Sequence, residues 1–164
     1  MTNYRIPLCL SLAWFALVNI GSAQTDPAIV NWLTNSTGAT GSSPDAEMHE
    51  LVSQIFADVQ SVHYTDDSVY VHTSGVPSYP TGPFGINPAY ASDIDATYQI
   101  PRNPVADLSG ENARLALGSQ GVFVNGVAMY NYADGMSYNN QGIWHQDANV
   151  FELGGFDASL GHPS

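Results

Sequence analysis

Two histidines and two aspartates crowd the C-terminal end of this chain: His145, Asp147, Asp157 and His162, with Glu152 between them. Imidazole nitrogen and carboxylate oxygen together make a ligand set for Zn²⁺ or Cu²⁺. His145 and Asp147 are two apart in a segment that reads as a strand, so both side chains leave one face. Gly154-Gly155 then breaks the strand and lets Asp157 and His162 fold back beside it. In this reading Asp157 is a ligand or the carboxylate that orients an imidazole. The alternative is plainer: His145 and His162 are hydrogen-bonded structural residues and Asp157 caps a turn.

Other groups carry less. His63 and His72 fall on one face of a hairpin as a diagonal pair about 7–8 Å apart, too loose to hold an ion without a third residue. Asn131, Asp134, Ser137, Asn139 and Asn140 supply oxygens of the kind Ca²⁺ takes, but they miss the EF-hand register and equally describe a turn-rich loop. Asn35-Ser36-Thr37 is a formal glycosylation sequon. Nucleophile and phosphate motifs are absent from the sequence: it has no Gly-x-Ser-x-Gly elbow and no Gly-rich phosphate loop.

Composition removes whole classes of function. The 164 residues hold 15 Asp and Glu against 3 Lys and Arg, a formal charge of −12. The three bases are Arg5, Arg102 and Arg114, and lysine does not occur. Nucleic-acid binding needs a basic footprint to displace counterions, and anionic lipid needs the same. Met1–Arg5, the apolar stretch 6–20 and Gly21-Ser22-Ala23 have the layout of a secretory signal peptide cut after Ala23. The expectation is therefore a secreted or periplasmic protein, with residues 1–23 a signal peptide and 24–164 a single domain. No membrane insertion is expected after processing, since no other segment approaches the roughly 18 apolar residues of a spanning helix. Cleavage removes Arg5, Cys9 and no acid, so the mature chain carries 15 acids against 2 bases, or −13, and no cysteine.

The elements that must position the C-terminal residues are short. Ile29–Leu33 reads as a first strand. Met48, Leu51, Val52, Ile55, Phe56 and Val59 repeat at helical spacing behind Ser43 and Pro44, which predicts one amphipathic helix. Residues 59–64 and 69–73 flank Thr65-Asp66-Asp67-Ser68 as a hairpin, with Val62, Tyr64, Val69 and Val71 on the core face. Residues 75–88 hold four prolines and must be irregular, and a strand is expected over 93–100. Asn125-Gly126 between apolar runs predicts a second hairpin with a type I′ turn. Residues 131–142 read as a polar-aromatic loop and 143–153 as a strand. The fold class is mainly β, an antiparallel β-sandwich-like or β-rich α+β domain with one short amphipathic helix.

Several segments together resemble the YHYH proteins, a secreted or periplasmic family named for a Tyr-His-Tyr-His stretch. They are Ser74–Tyr79, Gly82–Phe84 with Asn87-Pro88, Ile100–Arg102, Val122–Val127, Ser137–His145 and Phe156–Pro163, so the likeness runs from about Trp32 onward. The resemblance implies that the naming motif follows Gly161-His162-Pro163 by a few residues, whereas this sequence ends at Ser164, so the domain is expected to be truncated at its C-terminus. It also implies a cysteine where Ser159 stands. The family supplies no reaction. Three functions follow: a β-rich binding module coordinating Zn²⁺ or Cu²⁺ through its His/Asp segment, a metal-dependent hydrolase completed by residues beyond 164, or a surface structural or adhesion module.

Overall fold

The computed structural model describes residues 26–42, 55–110 and 117–163. The expected signal peptide and residues 43–54, most of the expected amphipathic helix, lie outside the described residues. The chain is mainly β, in three small antiparallel sheets. The first orders β1 (Val59–Tyr64), β2 (Ser68–Thr73) and β3 (Ala96–Pro101). The second pairs β4 (Ser119–Val122) with β5 (Ala128–Tyr130), and the third pairs β6 (Ala133–Ser137) with β7 (His145–Asp147).

The β1–β2 hairpin has the expected register, with Tyr64 opposite Val69 and Val62 opposite Val71. One feature is added by a bulge at Gln60, whose side-chain amide donates to the carbonyls of Phe56, Ala57 and Asp58. The extra residue moves Val59 onto the face it would otherwise leave. Val59, Val69 and Val71 are thereby buried together, with Ile29, Trp32, Val62 and Ile100 packed against them. The helical spacing that ran on to Val59 does not survive here: Phe56 bridges Thr40 and Val59 opens β1.

Ile29–Leu33 is not a strand. Asp26 caps a short helix, α1 (Pro27–Val30), its carboxylate accepting from the Ala28 N–H at 2.9 Å. Proline at the first helical position completes the start signal. The chain then runs beside β1, where Asn35 donates its backbone N–H to Val59. The Asn35 side chain donates to Ala39 and Ala57, so the sequon amide is held inside the fold.

The second hairpin forms where expected but with a different turn. Gly126 N–H donates to Phe123, and Phe123 N–H donates to Val127. Gly126 has φ +83° while Asn125 keeps a negative φ. The loop is therefore three residues long, a type I turn followed by a left-handed glycine, not type I′. Gly126 is buried against the first sheet: a Cβ there would lie 2.1 Å from Thr73 Oγ1.

The third sheet departs most from expectation. Ala133–Ser137, read as loop, is strand β6, and β7 ends at Asp147, where α2 (Ala148–Phe151) begins. Asp147 ends the strand because its carboxylate accepts the Asn149 N–H at 2.9 Å, a helix cap in place of a continued ladder. A 3₁₀ turn over Leu153–Gly155 follows. Among the described residues no helix is long and apolar enough to cross a membrane.

Candidate functional site

The residues singled out for chemistry lie on β6, β7, α2 and the segment after them, and they divide into two groups. His145 sits on β7 opposite Ser137. Its Nδ1–H donates to the Asp134 carbonyl at 2.8 Å, which fixes the tautomer and leaves the Nε2 lone pair uncommitted. Gln146 reaches the Asp134 carboxylate only at 3.5 Å. Asp134 in turn hydrogen-bonds Glu152 through the side chains. Glu152 lies 3.8 Å from His162 Nε2, and that nitrogen accepts from the Asn87 amide at 2.9 Å. Phe156 meets the His162 ring edge-on at 5.4 Å.

A chain of contacts therefore runs from His145 through Asp134 and Glu152 to His162. Glu152 is its electrostatic centre. Burial pushes its carboxyl up, the hydrogen bond to Asp134 and the charge of Asp134 push the same way, and His162 opposes them. Two carboxylates this close hold a proton more readily than one alone.

The aspartates expected beside the histidines are engaged elsewhere. Asp147 caps α2, accepting from both the backbone and side-chain nitrogens of Asn149. Asp157 is buried, and its two oxygens accept the N–H groups of Gly82, Ser159 and Gly161 at 3.1, 2.9 and 2.8 Å. It locks the turn 157–161 onto the proline-rich loop, so the partner of the His162 imidazole is Asn87 and not Asp157. Tyr79 lies nearby, its hydroxyl pushed up by burial and then by the Asp157 charge. The Gly154 carbonyl accepts the Ile86 N–H of the same loop.

Among the described residues, no three His, Cys, Asp or Glu side chains are grouped to hold a metal ion. Asp147 and Asp157 spend two and three acceptor positions on these N–H groups, which leaves each with fewer lone pairs to offer an ion. The calcium candidates are likewise turn residues: Asn131, Asp134 and Ser137 accept the backbone N–H groups of Ala133, Met136 and Gly142. His72 donates to Asp95 at 2.8 Å, and His63 is an exposed strand residue.

The sequence singles out His145 and His162 by type but does not show the groups that connect them. Glu152 and Asp134 are acids in a chain rich in acids, and only the folded chain brings them together. The family comparison falls on this half of the chain: residues 97–164 match the family model described as YHYH protein. This stretch is similar to the YHYH family. The YHYH region so defined contains β3 through the last 3₁₀ turn and every residue of the His145–His162 chain of contacts. Gly82 and Asn87, which meet Asp157 and His162, come from the proline-rich loop that precedes the matched span. No curated protein and no solved structure matches the chain.

One more feature of the YHYH region borders His145. The link between β6 and β7 opens a cleft of about 400 Å³ lined by residues 136–139 and 144–146. Trp144 and Tyr138 stand at its edge, 75% and 70% exposed.

Proposed function

We propose that this protein is a secreted or periplasmic β-rich binding module whose ligand-facing part is the β6–β7 end of its YHYH region. The observation that carries this reading is the cleft beside His145. It combines two largely exposed aromatic rings with an imidazole whose Nε2 is uncommitted, the mix of apolar surface and few placed polar groups that small-ligand sites use. The charged start, apolar run and small-residue site at Ala23 support export. Intact mass of exported protein then begins at Gln24.

The binding test uses Trp144 itself. After processing only Trp32 and Trp144 remain, so comparing the wild type with Trp144→Phe isolates the emission of the cleft tryptophan. A panel of uncharged oligosaccharides, choline and short peptides is titrated against the wild type and Trp144→Phe. A saturable change in the wild type that is lost or altered in the variant supports the reading. A panel that leaves Trp144 unmoved overturns it.

A second reading, transition-metal uptake, is favoured by the position of Glu152 against both Asp134 and His162. Zn²⁺ or Cu²⁺ would enter between the Glu152 and Asp134 carboxyls and draw His162 off Asn87. Calorimetric titration should then show saturable heat. Glu152→Gln should remove it, and unchanged binding in that variant would sink the metal reading.

A further inference from the structure

The β6–β7 cleft has a lining that narrows what can occupy it. The chain carries −12, yet none of the seven residues lining the cleft is an aspartate, glutamate or arginine; the Asp134 carboxylate lies behind the lining, 3.5 Å from the Gln146 amide. An anionic ligand would enter against the field of the whole molecule, and a metal cation would find no carboxylate in the lining itself. What the lining offers is two aromatic faces, the carboxamides of Asn139 and Gln146, the Ser137 hydroxyl and the His145 imidazole.

The loop brings the two aromatic residues to the same cleft. Tyr138 donates its backbone N–H to the Trp144 carbonyl at 3.0 Å, so the two residues face each other across the neck. Gly142 N–H donates to Ser137 Oγ, and Asn139 and Asn140 take left-handed backbone angles of φ 50° and 55° that reverse the chain within one turn. Asparagine tolerates that region better than other residues with a side chain. A surface that buries on the order of 800 Å² per partner is needed for a stable protein interface. A cleft lined by seven residues falls short of that and fits a small molecule.

We propose that this cleft binds a neutral carbohydrate. A pyranose presents an apolar face of C–H groups that stacks on aromatic rings, while its rim hydroxyls donate to and accept from amides and imidazole. Tyr138 and Trp144 supply the rings, and Asn139, Gln146 and His145 Nε2 supply the polar partners. The proposal rests on the binding-module reading and names its ligand class.

The experiment is calorimetry of the full chain with cellohexaose, laminarihexaose, chitohexaose and maltohexaose, with polygalacturonate and choline as the charged alternatives. At least one neutral hexasaccharide should bind saturably. Trp144→Ala and Tyr138→Ala should each weaken it about tenfold, the scale of one lost ring contact. Trp144→Phe should retain most of the affinity, and Tyr130→Ala, an exposed ring outside the cleft lining, should leave it unchanged. Melting temperatures of the four variants check that each is folded. Binding of choline or polygalacturonate alone, or neutral binding that ignores both ring variants, overturns the carbohydrate assignment. If choline moves Trp144 emission while no neutral sugar binds, the module reading stands and this one falls. If nothing moves it, both fall.

Discussion

Gly126→Ala is the substitution that tests how the two hairpins are joined. At φ +83° any side chain costs about 1–2 kcal/mol of local strain. A second cost comes from crowding. The new methyl would sit 2.1 Å from Thr73 Oγ1, 2.7 Å from Thr73 Cβ and 3.2 Å from Val59 Cγ2. Thr73 is fully buried, and its hydroxyl donates to the Asp58 carbonyl at 3.1 Å and accepts the Gly75 N–H at 3.0 Å. Displacing it weakens two buried hydrogen bonds at about 1 kcal/mol each. The sum is about 3–4 kcal/mol, a large share of a typical domain's stability. Gly38→Ala is the matched control, since Gly38 has φ +72° and nothing within 4 Å of the added atom. It should lose only the strain. Urea denaturation followed by circular dichroism measures both. Equal losses in the two variants would refute the close packing of the turn on Thr73.

Three further outcomes are expected. At −12 without lysine, the melting temperature should rise between low and molar NaCl as repulsion among carboxylates is screened, and a flat or falling curve counts against it. The raised Glu152 carboxyl favours folding below its unfolded value near 4.5, and that contribution is lost as pH rises through the higher folded value; Glu152→Gln should therefore be more stable than wild type at pH 7, with the gap closing toward pH 4. Asp157→Ala leaves the N–H groups of Gly82, Ser159 and Gly161 without their acceptor and should cost about 2–4 kcal/mol by thermal or urea unfolding, a loss that a purely surface role would not produce.

The first hairpin was legible because it needs only local information: alternation at period two and a polar turn. The bulge at Gln60 was not, because it depends on one amide reaching three carbonyls of a preceding segment. Two strands were misread for a single reason. Asp26 and Asp147 each cap a four-residue helix, and Ile29–Leu33 and Ala148–Leu153 contain enough apolar residues to imitate strands. β6 was hidden because Ala133-Asp134-Gly135-Met136-Ser137 contains no β-branched or aromatic residue. At the site, the histidines were found by type, but their partners are long-range. Asn87 is 75 residues from His162, and no spacing rule connects them.

That separation has a consequence for the order of events in synthesis. Residues 76–81 of the loop settle on Asp58 and Ser42, but Gly82 and Ile86 take their acceptors from Asp157 and Gly154, and Asn87 finds His162 only from the far end of the YHYH region. Closing contacts over such separations is entropically slow. While the β1–β2 hairpin and the first half of the proline-rich loop can form early, residues 82–87 lack these C-terminal partners until residue 162 has been synthesised. A nascent chain stopped near residue 150 should carry a formed first hairpin beside an open loop, with the Gly82 N–H and the Asn87 amide still facing solvent. Maturation of this part of the molecule is thereby delayed to the end of translation, and limited proteolysis of ribosome-stalled chains within 82–88 should show protection arriving in one late step.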